Sequence, residues 1–274
     1  MASITINDVH GFAILVTELV EKVGKKFIRV NNAAAKNVTD LQIGGREIKL
    51  EADTMLEKEL IKGLSHTGIA ILSEETGFIP GKSLPQLLWV IDPLDGSYNF
   101  SRNLGPSMIS VALWDENEPV LGVLFNLVTK QMIFGGPQIG AHVGKNPVTV
   151  SDRKDRGQAT LVTGFPSRFP ISDAKAVASF AEILTSFGKV RMIGSACASL
   201  ALVATGSADV YAEHNIMFWD IAAGLAIVNG AGGTFELEGV NLSEGIFSEP
   251  CTVVASNNKF DVSVTMFDKM RGIA

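Results

Sequence analysis

Apolar residues recur at helical spacing near the start of the chain. Phe12, Leu15, Val16, Leu19 and Val20 fall on one face of a helix that Asn7 or Asp8 caps and that runs to about residue 27. Residues 31–46 are polar and rich in Gly and Asn, and read as a loop. A second helix is predicted from about residue 51 to residue 64. Short apolar runs then replace the helical period, at 69–72, 87–91, 107–114, 120–127 and 131–134. Gly, Pro, Asn or Asp separates several of them, as expected of strands joined by turns, and Glu-Asn-Glu-Pro at 116–119 reads as a hairpin turn. The first half is therefore two helices followed by a mostly antiparallel sheet.

The texture changes after about residue 150. Strand-like runs at 161–163, 190–193, 208–211 and 252–255 alternate with helix-like runs at 173–186, 198–205, 218–229 and 261–270. Such alternation predicts α/β layering. The chain divides into an N-terminal α+β half, 1–150, and a C-terminal α/β half, 151–274. No flexible linker separates them, so one continuous globular unit is expected.

The 274 residues are 46% hydrophobic and 19% charged, an ordinary globular composition. The net charge is −6, and the densest basic stretch, Arg153 to Arg156, is broken by Asp155. A nucleic-acid partner is not expected, because phosphate-backbone binding needs clustered Lys and Arg. No apolar run reaches the about 18 residues of a membrane span, and the N-terminus lacks the pattern of a signal peptide. Cys197 and Cys251 form no CxxC pair, which suits a reduced, cytoplasmic setting and suggests no zinc cluster. An acidic chain that handles anionic phosphates needs a cation between them, and a bound divalent ion is the largest local charge in its site.

The acidic residues supply candidates. In Trp-Val-Ile-Asp-Pro-Leu-Asp-Gly-Ser, 89–97, an apolar strand runs into Asp92, and Pro93 and Gly96 force a turn. Asp92 and Asp95 then share a short loop, with the Leu94 carbonyl as a further oxygen donor. Oxygen-only donors suit Mg²⁺. A second apolar strand ends in Glu74 and Glu75. Asp220 lies just inside an Ala-rich helix, and Glu51, Asp53 and Glu57 share a helix stretch. Taken singly each has an ordinary explanation: a solvated turn, a surface loop, an acidic first turn favoured by the helix dipole, a solvated helix face. Together they fit phosphate ester hydrolysis, in which two metal ions about 3.5–4 Å apart stabilise the attacking and leaving oxygens. Gly96 and Ser97 offer backbone N–H groups to phosphate oxygens, and the Ser97 hydroxyl can orient a water.

These segments resemble the inositol monophosphatase family. The resemblance rests on SEET at 73–76, WVIDPLDGSYNF at 89–100, RMIGSACAS at 191–199, LVATGSAD at 202–209 and WDIAAG at 219–224, in matching order and separation. It implies a five-layer α/β/α/β/α sandwich, a homodimer, inhibition by lithium, and two or three Mg²⁺ ions, with Mn²⁺ as substitute. It implies Glu74, Asp92, Asp95, Asp220 and the Leu94 carbonyl as metal ligands. Asp53 and Ser97, with Glu74, would activate the nucleophilic water, while Gly96 and Ser97 bind phosphate and Gly194, Ser195, Ala196 and Glu213 contact the substrate. Ser97 stands where the family usually has Thr, and His214 and Asn215 depart from its pattern. The leading substrate is inositol 1-phosphate. Alternatives are fructose 1,6-bisphosphate (alone or as a dual activity), 3′-phosphoadenosine 5′-phosphate, histidinol phosphate, or a non-catalytic binding role.

Overall fold

The computed structural model describes residues 4–30, 38–42, 47–165, 172–260 and 263. The chain opens with α1 (Ile6–Val30), then β1 (Val38–Gln42) and β2 (Glu47–Leu50), which pair as an antiparallel ribbon, then α2 (Glu51–Leu64). There follow β3 (Ala70–Ser73), β4 (Gly77–Ile79), β5 (Leu87–Asp95), α3 (Ser97–Arg102), β6 (Met108–Asp115), β7 (Glu118–Asn126), β8 (Met132–Gly136), β9 (Gly140–Val143) and β10 (Asn146–Val148). The second half holds β11 (Thr160–Thr163), α4 (Ala174–Thr185), β12 (Lys189–Met192), α5 (Ala196–Ala204), β13 (Val210–Ile216), α6 (Phe218–Gly230), β14 (Thr234–Glu238) and β15 (Cys251–Ser256).

The layers stack as α/β/α/β/α. An eight-stranded sheet, ordered β10-β9-β8-β7-β6-β5-β3-β4, is antiparallel except where β3 and β5 run side by side in parallel. One face carries α1 and α2: Val16, Val20 and Phe27 of α1 and Leu56 and Leu60 of α2 bury against Trp89, Ile91, Val111 and Phe125. The other face packs on α5 and α6, whose far sides meet a five-stranded sheet ordered β12-β11-β13-β15-β14. Beyond that sheet, Phe180 and Ile183 of α4 cover Leu161, Val210 and Val254. The central core thus joins residues before and after position 150.

α6 is apolar all round, which marks a helix enclosed on every side. Its Ala and Gly residues keep it thin enough to lie between two sheets. β5 is buried over all nine residues because both faces are covered, and it reads as a continuous apolar run rather than an alternation. Among the described residues no helix is long and apolar enough to cross a membrane.

Several expectations need correction. Thr5, not Asn7 or Asp8, caps α1. Its hydroxyl accepts from the Asp8 N–H (3.3 Å) while the Asp8 carboxylate accepts from the Thr5 N–H (3.0 Å), a reciprocal capping box. Within the polar stretch 31–46, Val38–Gln42 is a strand, since pairing with β2 outweighs composition. β5 continues through Asp92 and Pro93 to Asp95 instead of ending at Ile91. The ladder to β6 is irregular between Asp92 and Asp95, where a proline without an N–H is tolerated. β13 runs on to Ile216, so Glu213 lies within a central strand and not after one. The helix expected at 261–270 lies outside the described residues.

The contact between α6 and β7 is a backbone approach. A Cβ on Gly122 would sit 2.0 Å from the Ala223 carbonyl oxygen. Gly122→Ala is expected to destabilise the protein by about 1–3 kcal/mol, read as a lower urea midpoint with unchanged slope. An unchanged midpoint would show that the layers have slack.

Candidate active site

The parallel pairing of β3 and β5 decides where the acidic residues go. Both strands leave the sheet at the same end, so Glu74, directly after β3, emerges beside Asp92 and Asp95. The Glu74 N–H donates to the Ile91 carbonyl (3.2 Å), which ties the two strand ends together. Asp220, third residue of α6, arrives from the helical layer behind, and Asp53, third residue of α2, from the layer in front.

Three helix starts serve these carboxylates. Asp53 Oδ2 accepts from the Leu50 N–H at 2.6 Å, and Asp220 Oδ2 from the Met217 N–H at 3.2 Å. Asp95 receives the opening of α5: the N–H groups of Ala196 (3.2 Å) and Cys197 (2.9 Å) and the hydroxyl of Ser195 all donate to it. Partial positive charge at helix N-termini favours anions there. Ser97 Oγ lies 3.0 Å from Asp53 Oδ1 and 2.8 Å from the Leu94 carbonyl oxygen, its single proton shared between two acceptors. Gly96, at φ +84°, supplies the left-handed turn before it, and a Cβ there would crowd the Pro106 and Gly194 carbonyls.

These donors leave a deficit at Asp92. Its Oδ1 accepts from the Leu94 N–H (2.9 Å), but its buried Oδ2 has no hydrogen-bond donor. It faces the carboxyls of Glu74 and Asp220, which when ionised are acceptors like itself and donate only when they hold a proton. The ion pairs found among the described residues lie elsewhere, at Lys25–Glu21, Lys26–Glu59 and Arg153–Asp209. Burial, then repulsion led by Glu74 at Asp92 and by Asp220 at Glu74, pushes both carboxyls well above their ordinary range. Burial, then repulsion from Asp95, does the same to Asp220. Burial raises Asp53 to about 6, against the Leu50 and Ser97 hydrogen bonds, and raises Asp95 to about 6, against its three donors. A donor-less oxygen among hard-oxygen ligands is the environment a divalent cation relieves. Among the described residues, no three His, Cys, Asp or Glu side chains are already drawn in as a ready-made metal cluster.

The expected substrate-side residues lie along one edge of this group. Glu213 is buried, with Oε2 accepting from the Tyr211 hydroxyl (2.9 Å) and a further bond from the Gly164 N–H, and burial raises it to about 7. Ser195 and Ala196 are turned toward Asp95, and Gly194 stands in the turn just before them at φ +74°. Sequence reasoning passed over Asn99. Its amide donates to the carbonyls of Pro106 (3.1 Å), Ile193 (2.9 Å) and Gly194 (3.2 Å), joining α3 to the turn before α5. Its place two residues after Ser97, inside the segment 89–100, was the available signal. Tyr211, the support of Glu213, gave none beyond its strand position. Cys197 and Cys251 are free and buried.

Comparison with known proteins gives the family and the fold. The inositol monophosphatase family matches residues 10–261. This chain belongs to that family. Its members are metal-dependent phosphatases acting on phosphoric monoesters. The chain is 32% identical over 214 residues to the Nus factor SuhB of Xylella fastidiosa, covering 76% of this chain and 77% of that protein. It is 32% identical over 230 residues to the inositol-1-monophosphatase of Synechocystis, covering 81% and 77%. The crystal structure of the extragenic suppressor protein suhB from Bartonella henselae superposes with a TM-score of 0.78 at 25% identity, over 96% of this chain and 98% of that one. The five-layer stack is the family's fold.

A group whose folded pKa is raised favours the protonated native state, so its contribution is present at low pH and lost as pH rises through the folded value. With Asp53 and Asp95 at about 6 and Glu213 at about 7, the metal-free protein loses stability between about pH 4 and about pH 7. Asp92→Asn removes one of the repelling charges. In EDTA at pH 7.5 this variant is expected to melt a few degrees above wild type, and the gap should close at pH 5. A variant that melts below wild type at pH 7.5 would contradict buried repulsion.

Proposed function

We propose that this chain is a Mg²⁺-dependent phosphomonoesterase of small polyol phosphates, with inositol 1-phosphate as the preferred substrate. The observation that carries this reading is the gathering of Glu74, Asp92, Asp95 and Asp220, with the donor-less Asp92 Oδ2, beside the Ser97–Asp53 pair. Glu74, Asp92, Asp95, Asp220 and the Leu94 carbonyl are the proposed ligands of two or three Mg²⁺ ions, for which Mn²⁺ can substitute. When bound, the metal neutralises phosphate charge and makes a water more acidic.

The protein's own groups do the rest. Ser97 Oγ keeps lone pairs to accept from a water while its proton rests on Asp53 or on the Leu94 carbonyl. Asp53, held at about 6, is a carboxylate at neutral pH with a basicity suited to taking up a proton through Ser97. The Gly96 and Ser97 N–H groups hold phosphate oxygens. Glu213 meets the organic part: near neutral pH it can accept from or donate to sugar hydroxyls, and Tyr211 and Gly164 fix its position. No covalent phosphoenzyme is involved, so no Cys or His nucleophile is called for.

The test is phosphate release from inositol 1-phosphate, with fructose 1,6-bisphosphate and 3′-phosphoadenosine 5′-phosphate alongside, in Mg²⁺ and in EDTA. Release from inositol 1-phosphate in Mg²⁺ alone is expected. Asp53→Asn and Asp92→Asn should each lower the rate by about 100-fold or more. Undiminished release in EDTA, or full activity in Asp92→Asn, would overturn the metal reading. Preference for another ester would move the substrate and leave the chemistry.

A further inference from the structure

Glu57 has no role in the chemistry above, yet its carboxylate is buried and fully engaged. Oε1 accepts from the N–H groups of Glu75 (3.2 Å) and Thr76 (2.9 Å), and Oε2 from the Thr76 hydroxyl (2.7 Å). A glutamate that only supported α2 would bond within its own helix or face water. These bonds instead reach 18 and 19 residues along the chain, to the turn between β3 and β4. Glu74 opens that turn.

We infer that Glu57 is a positioning residue for Glu74, fixing the turn that presents this carboxylate to the metal. The inference rests on the metal-dependent reading of the site. Glu74 is only partly buried and has a long, rotatable side chain, so the path of its backbone decides where its carboxylate points. That backbone is pinned on both sides. The Ile91 carbonyl takes the Glu74 N–H, and Glu57 takes the next two. Glu57 lies one helical turn beyond Asp53, on the same face of α2. A single helix therefore holds both arms of the site: Asp53 holds Ser97, and Glu57 holds the Glu74 turn. Loss of the carboxylate would leave two backbone N–H groups and a hydroxyl short of an acceptor, and the turn would relax to find others. Partners of ligating groups change metal affinity by about 10–100-fold when removed.

The experiment is calorimetric titration of Mg²⁺ into the whole protein: wild type, Glu57→Ala, Glu57→Gln and Thr76→Val. Glu57→Ala is expected to weaken binding by about tenfold or more. It should also raise the Mg²⁺ concentration for half-maximal phosphate release while the rate at saturating Mg²⁺ approaches that of wild type. Glu57→Gln should recover most of the affinity, because its amide oxygen still accepts both N–H groups. Wild-type affinity in Glu57→Ala, even with a lowered melting temperature, overturns the inference. If Glu57→Ala does not fold, Thr76→Val decides: its side chain is exposed, a severalfold loss of affinity supports the inference, and none overturns it. Failure of wild type to bind Mg²⁺ at all would instead overturn the reading of the site itself.

Discussion

Taking a carboxylate out of water is costly even after the protein relaxes, and placing others beside it adds repulsion. Glu74, Asp92, Asp95 and Asp220 bear that cost together, on three different segments of the chain. Among the described residues no basic side chain is found in an ion pair with them. What the fold offers instead is backbone: the starts of α2, α5 and α6 aim N–H groups at Asp53, Asp95 and Asp220. Asp92 is left with a bare oxygen where these elements meet. A protein that tolerates such a site keeps it for a ligand that repays the strain, and a divalent cation is the ligand its oxygens suit.

Much of the architecture follows from delivering those groups to one place. The parallel β3–β5 pair, unusual in an otherwise antiparallel sheet, brings two acidic strand ends side by side. The thin α6, pressed against Gly122, carries Asp220 close behind them. Asn99 and Glu57 are small braces with long reach, one spanning to the turn before α5 and the other to the turn after β3.

The sequence disclosed the apolar strands and helices because their periods are strong, and it disclosed Glu74 and Asp92 because they follow those strands directly. It hid what depends on pairing. Val38–Gln42 became a strand through its partner, and β5 ran through Pro93 because the irregularity with β6 absorbed the missing donor. Glu213 looked like a residue beyond a strand because the polar run 213–215 masked a strand buried between β11 and β15. Glu57 looked solvated, since nothing local to α2 reveals a partner 19 residues away. The gathering of the carboxylates came from motif resemblance; no spacing rule brings residues 53, 74, 92 and 220 together.

The central claim is that the site holds carboxyls whose protons a cation displaces. Metal binding to raised carboxyls must release protons. The direct measurement is calorimetric titration of Mg²⁺ at pH 6 in two buffers of different ionisation enthalpy, repeated at pH 8. The account predicts net proton release at pH 6 that diminishes at pH 8. Binding with no proton release at either pH, or no binding, would contradict it.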